Sequence, residues 1–201
     1  VLARPTISDR ISVIYRNDAG TFTDIGAGLE RVSVPSLAWG DYDNDGDLDL
    51  ALTGEDRFYM DFSAIYRNDA GTFIDIGASI ENVSNGAVAW GDYDNDGDLD
   101  IAICGDTGDR VSKIYRNDAG SFIDIGAGLE GVQSASLAWG DYDNDGDLDL
   151  AVAGSTLSGQ ITKLYRNDAG TFTDTGAGLT GVRSCSLAWG DYDNDGDLDL
   201  V

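Results

Sequence analysis

The sequence predicts an all-β fold made of one antiparallel unit of four strands, used four times. Three observations predict it. Trp39, Trp90, Trp139 and Trp189 recur at separations of 51, 49 and 50 residues, and Tyr15, Tyr66, Tyr115 and Tyr165 keep the same spacing at the head of four copies of YRNDAG. Within each copy, polar and apolar residues alternate over short runs ended by Gly, Asn or Asp. No stretch shows the three-to-four-residue spacing of an amphipathic helix. Four-stranded sheets of this size repeated radially are the blades of a β-propeller, so the expected architecture is a β-propeller-type array of four ~50-residue repeats. A β-helix is the competing arrangement, but its rungs are shorter.

The elements follow in order within a unit. "SLAWGDY" alternates and supplies strand A, leading into an acidic loop. "LDLAVAG" is a β-rich apolar run closed by Gly and supplies strand B. "ITKLYRN" alternates up to the turn residues Asn-Asp-Ala-Gly and supplies strand C. "TFTDIGAG" alternates again, with Phe and Ile among polar partners, and supplies strand D.

Charge narrows the function. The 201 residues carry 12 Lys and Arg against 37 Asp and Glu, no His, and a formal charge of −25. Five acids in each of four DYDNDGDLD copies account for twenty of the 37, so the acidity is local rather than the spread charge of a disordered tail. No basic stripe is available to meet phosphates, which excludes nucleic acid as a partner. No apolar run reaches the ~20 residues of a membrane span. Cys104 and Cys185 fall at non-equivalent repeat positions and read as small buried hydrophobes, not as a disulfide.

The acidic loop carries the chemistry. In residues 41–49, Asp41, Asp43 and Asp45 alternate, Gly46 permits a turn at positive φ, the backbone carbonyl of Asp47 falls seventh and Asp49 ninth. This is the D-x-D-x-D-G register of oxygen-rich calcium loops, with Asp49 closing in place of a twelfth-position Glu. Two carboxylates ~4 Å apart repel by about 4 kcal/mol at an effective dielectric of 20. Four converging carboxylates therefore call for a counter-charge, and all-oxygen ligation selects a hard ion, Ca²⁺ over Mg²⁺. A solvated acidic turn kept for solubility is the bland alternative, and four copies with identical spacing speak against it.

"SLAWGDYDNDGDLDLAVAG" resembles the calcium-binding repeat of integrin-alpha-like propellers, the FG-GAP or VCBS type, over essentially the whole chain. The resemblance implies one blade per repeat, with one Ca²⁺ in the loop between its first two strands, four in all. The ligands carried over are Asp41, Asp43, Asp45, Asp47 (carbonyl) and Asp49; Asp92, Asp94, Asp96, Asp98 and Asp100; Asp141, Asp143, Asp145, Asp147 and Asp149; and Asp191, Asp193, Asp195, Asp197 and Asp199. The family closes with more blades than four, so residues 1–201 are expected to be one repeat domain within a larger ring or array. Joining the end "DGDLDLV" to the start "VLARPTISDRISVIYRNDAG" keeps the repeat in register, which points to self-association or continuation into further repeats.

The resemblance also implies a calcium-rigidified binding or adhesion module, extracellular or at the cell surface, because weak acidic sites fill only at extracellular calcium. The alternative is a building block of an extracellular repeat assembly. The A–B and C–D turns are near-identical in every copy. The B–C segments differ ("GEDRFYMDF", "GDTGDRVS", "GSTLSGQIT" and, at the start, "ARPTISDRIS"), as do the D–A segments ("RVSVPS", "NVSNGA", "GVQSAS", "GVRSCS"). A protein or glycan ligand is expected on that variable face. Phe58, Tyr59, Met60 and Phe62 are its most conspicuous cluster, read as local packing before contact patch. The Trp residues read as blade-to-blade packing rather than sugar platforms, and Arg16, Arg67, Arg116 and Arg166 as partners of nearby acids. Asn82-Val83-Ser84 is a glycosylation sequon. No His, no activated thiol and no phosphate-cradling loop supports an enzyme.

Overall fold

The computed structural model describes residues 10–201. It is all-β, with sixteen strands among the described residues, paired antiparallel between neighbours in sequence. Three sheets are complete. The first orders β3 (Ser33–Gly40), β4 (Asp49–Glu55), β5 (Asp61–Asp69) and β6 (Thr72–Asp75). The second orders β7 (Ser84–Gly91), β8 (Asp100–Asp106), β9 (Arg110–Asp118) and β10 (Ser121–Asp124), and the third β11 (Gln133–Gly140), β12 (Asp149–Ser155), β13 (Gln160–Asp168) and β14 (Thr171–Asp174). Flanking them are two half-sheets: the C–D hairpin β1 (Tyr15–Asp18) with β2 (Thr21–Asp24), and the A–B pair β15 (Trp189–Gly190) with β16 (Asp199–Leu200). The half-sheets are not hydrogen-bonded to each other, and the set of sheets is not closed.

The B strands explain the apolar runs. β4, β8 and β12 each run buried on both faces except at the last residue, because a neighbouring sheet or hairpin covers each side. The cores accordingly lie between sheets. Tyr42, Ala51 and Ile65 of the first pack with Val83, Ile101, Ile103 and Phe122 of the second, and Cys104, Ala102 and Ile114 of the second with Val132, Leu150 and Val152 of the third. Cys104 is fully buried and unpaired, with burial pushing its thiol pKa up to about 12, as expected of a small hydrophobe; Cys185 is only half-buried.

Trp90, Trp139 and Trp189 make the joints. The indole N–H of Trp90 donates to the Ala38 carbonyl of the preceding sheet at 3.2 Å, and Trp139 and Trp189 repeat the bond to Ala89 and Ala138. Each ring lies over the backbone of a glycine, where a Cβ on Gly40, Gly91 or Gly140 would come within 2.7–2.9 Å of it. The "WG" pair is thus one contact repeated: the Trp of each sheet needs the Gly of the sheet before it. Arg16, Arg67, Arg116 and Arg166 each pair with the Asp two residues on, as expected.

Two element boundaries differ from expectation. Strand D is only TFTD or its equivalent, because Gly26 and its counterparts Gly77, Gly126 and Gly176 take positive φ and end the alternation. Strand A starts earlier, at Ser33, Ser84 and Gln133, so the variable D–A segments run into the strand through a bulge at Val34, Asn85 and Ser134, all at positive φ. The C–D turn is a two-residue hairpin with Ala19 and Gly20 both at positive φ, a type I′ turn matched to strand twist. Asn17 steadies it by accepting the Gly20 N–H at 2.7 Å.

Candidate metal centre

Each acidic loop follows strand A and precedes strand B. Asp41 folds it by accepting the backbone N–H groups of Asp45 (3.1 Å) and Gly46 (3.0 Å), and Asp45 accepts that of Asp47 at 2.8 Å. Asn44 sits at φ 58° and Gly46 at φ 94°, a left-handed step followed by the glycine turn the spacing predicts. The same bonds recur from Asp92 and Asp96, Asp141 and Asp145, and Asp191 and Asp195.

These bonds curl the loop until its carboxylates converge. Asp41, Asp43 and Asp45 bring one oxygen each to within 4.8 Å of the others, as do Asp92, Asp94 and Asp96. In the last two loops the groups are Asp141, Asp143 and Asp149, and Asp191, Asp193 and Asp199. One carboxylate oxygen of Asp94 is buried without a hydrogen-bond partner. An orphaned, buried anion is costly unless a counter-charge meets it. Burial first, and then the neighbouring Asp45 or Asp96, raises the pKa of Asp43 and Asp94. The donor set is all oxygen and anionic, so a hard divalent cation fits it.

The seventh and ninth aspartates do more than the sequence assigned them. Asp49 is buried, and its two oxygens accept the N–H groups of Tyr42 (3.1 Å) and Asn68 (2.8 Å), tying the loop to strand C. Asp100 and Asp149 do the same with Tyr93 and Asn117, and with Tyr142 and Asn167. Burial raises the pKa of Asp100 to about 7 and of Asp149 to about 6, against the lowering effect of those bonds. The seventh-position side chains turn outward. Asp47 accepts the Ala70 N–H of the C–D turn at 2.9 Å, which puts the two constant turns side by side as expected. Asp98, Asp147 and Asp197 each accept from the loop Asn of the preceding sheet, Asn44 (2.8 Å), Asn95 and Asn144.

Sequence reasoning missed this clasp and a second one. Asn117, fully buried, donates to the Tyr42 carbonyl of the preceding loop (2.8 Å) and to Leu99 of its own, and Asn167 repeats the pattern on Tyr93 and Leu148. The available signal was the invariance of the loop Asn and the YRN Asn among four copies, which a turn role alone does not require.

The variable segments gather at the other end. There Asn82 accepts the Ser63 N–H and Ser112 donates to the Glu130 carbonyl. Phe58 and Met60 are exposed, Arg10 lies 4.6 Å over the Tyr59 ring, and Phe62 packs against a further apolar cluster of Val32, Leu50, Leu52, Ala64 and Tyr66. Residues 3–9 of the first variable segment lie outside the described residues.

Comparison with known proteins fits this arrangement. The FG-GAP-like repeat model matches residues 41–103 and 92–152, more than half of the chain. The chain belongs to the FG-GAP-like repeat family. Each match opens at one acidic loop and runs into strand B beyond the next. Among solved structures, an Agrocybe aegerita lectin, studied for its specific recognition of non-reducing terminal N-acetylglucosamine, shares the fold at 19% identity and a TM-score of 0.56. The match covers 92% of this chain and 54% of the lectin, so the FG-GAP-like chain spans about half its neighbour's length. No curated protein sequence matches it. The β-propeller-like, all-β fold expected from the repeat is supported.

Proposed function

We propose that this chain is a non-enzymatic, calcium-rigidified binding module whose sheets are propeller blades. The observation that carries the reading is the convergence of three carboxylates in each acidic loop, one with an orphaned buried oxygen. Asp41, Asp43, Asp45, Asp49 and the Asp47 carbonyl would hold one Ca²⁺, and the equivalent residues in the other loops three more. The ion would supply the counter-charge that lets these carboxylates converge as anions. Because the first three loops also clasp the sheet that follows, ordering the loop stiffens the joint. The variable B–C and D–A segments would then meet a protein or glycan ligand, outside the cell, where calcium is abundant.

Calcium titration of the melting temperature tests this. Calcium at a hundredfold over its dissociation constant should add about 2.7 kcal/mol per site, and a chelator should remove it. A melting curve indifferent to chelator overturns the metal reading. Glycan and protein arrays probed with calcium-loaded chain test the ligand reading, which fails if nothing binds selectively. The second reading, a building block of a larger assembly, draws on the identical joints between sheets.

A further inference from the structure

The acidic loops of neighbouring sheets are joined by an unbroken run of buried hydrogen bonds. Asp49 accepts the Tyr42 N–H at 3.1 Å, and the Tyr42 carbonyl accepts the side-chain amide of Asn117 in the next sheet at 2.8 Å. The backbone N–H of the same Asn117 donates to Asp100, the ninth aspartate of the next loop, at 2.8 Å. Asp100 carries the run onward with its other oxygen, which accepts the Tyr93 N–H at 3.1 Å. The Tyr93 carbonyl accepts the Asn167 amide at 2.7 Å, and the Asn167 N–H donates to Asp149 at 2.8 Å.

A second, exposed set of bonds runs beside it. The Asn44 amide donates to the Asp98 carboxylate (2.8 Å) and the Gly97 carbonyl (3.3 Å) of the next loop, Asn95 to Asp147 and Gly146, and Asn144 to Asp197 and Gly196. Both sets are anchored among the groups that would hold the cation. Tyr42 sits between Asp41 and Asp43, Asn44 between Asp43 and Asp45, and Asp149 is one of the carboxylates that converge in the third loop. Converging carboxylates repel, so a counter-charge draws the loop closed. A closed loop holds the Tyr42 carbonyl and the Asn44 amide in place for Asn117 and Asp98. Part of the conformational entropy that the next loop must give up on closing is then already lost.

We propose that calcium binding at neighbouring loops is positively coupled. Asn117 and Asn167 inside the joints, and Asn44, Asn95 and Asn144 at their surface, are the positioning residues that carry the coupling. The inference rests on the calcium reading of the loops given above, and none of these asparagines belongs to the ligand set. Each filled loop should raise the affinity of its neighbour about fivefold or more, the lower end of common allosteric coupling, and the effect is reciprocal. Electrostatics alone predicts the opposite sign, because a dication held in one loop cancels part of the negative field that attracts a cation to the next. The sign of the coupling therefore separates a mechanical link from a merely shared charge.

Calorimetric titration of calcium into the metal-stripped 201-residue chain reads the outcome. The binding curve should be steeper than independent sites give, with the last ion held about fivefold or more tighter than the first after statistical correction. Asn117→Ala with Asn167→Ala cuts the buried run and should flatten the curve, but these substitutions open buried contacts and can unfold the chain. Asn44→Gly, Asn95→Gly and Asn144→Gly together keep the test decisive. All three positions are exposed at φ 58°, which glycine adopts freely, so this variant should keep its circular dichroism spectrum and bind the same number of ions on a less steep curve. A purely structural role would lower the melting temperature and leave the steepness alone. Wild-type sites that fill independently or with negative cooperativity overturn the coupling while leaving the calcium reading intact, and so does a glycine variant as steep as wild type. A titration without binding heat or a shift of the melting temperature overturns the calcium reading itself, and the coupling with it.

Discussion

Tyr115 and Tyr15 head the same six-residue motif, yet the first is 3% exposed and the second 60%; Phe122 and Phe22 follow them at 7% and 66%. Tyr93 and Tyr192 occupy the same place in identical loops at 3% and 80%. Residues 91–124 and their counterparts at either end differ little in sequence but greatly in surroundings. Among the described residues the inner copies have a sheet on each side, and the outer ones have a sheet on one side. Burial here is thus a property of the joint rather than of the unit, as in quasi-one-dimensional repeat proteins whose stability sums unit and interface contributions.

Paired substitutions at equivalent positions break that comparison most directly. The largest difference is expected at the ninth aspartate. Asp100→Ala strands the buried N–H groups of Tyr93 and Asn117, at about 1–3 kcal/mol each. Asp199→Ala frees only the N–H of exposed Tyr192 and should cost less than about 1 kcal/mol. Denaturant melts of the two variants in calcium-free buffer, where ligation cannot contribute, should separate them clearly; equal losses would show that the surroundings do not matter.

Glycine gives the next contrast. Gly91→Val drives atoms into the Trp139 ring, already 2.8 Å from an added Cβ, and should cost about 1–3 kcal/mol as overpacking. Gly190→Val, where an added Cβ meets nothing within 4 Å, should stay within about 0.5 kcal/mol of wild type. Thermal melts at low concentration check both. Asn117→Ala comes third: it leaves the Tyr42 and Leu99 carbonyls without their donor and should cost about 1–3 kcal/mol. Asn17→Ala loosens only an exposed turn and should cost about 1 kcal/mol or less.

The smallest effect sharpens the comparison by vanishing from it. Arg116 and Asp118 pair across two residues of one strand, both about two-fifths exposed, and Arg16 and Asp18 do the same at the outer hairpin. Because this pair never crosses a joint, Arg116→Ala and Arg16→Ala should leave the melting temperature equally unchanged. A large loss at Arg116 alone would mean that the joint reaches further than the clasps described.

The repeat, the strand period and the acidic register were legible in the sequence because each is local. Alternation over a few residues decides which side chains share a face, and five aspartates in nine residues with Gly46 in the sixth place constrain the loop whatever surrounds it. The carboxylates converge through hydrogen bonds spanning two to five residues, all inside the motif. The second tasks of Asp47, Asp49, Asn44 and Asn68 and of their counterparts were not legible. Apart from the Tyr N–H seven residues before the ninth aspartate, their partners lie from 18 to 75 residues away, across a hairpin or a joint, and no local period records a partner so distant. The ends of strands A and D were misplaced for a related reason. Whether Val34 or Gly26 continues a strand depends on the backbone angle that packing allows, and both take the positive φ that alternation alone does not foresee. Local chemistry determined the unit; only the stacking of units decided which copies of an identical residue are buried, paired and structural, because desolvation and hydrogen-bond partners come from the neighbouring sheet.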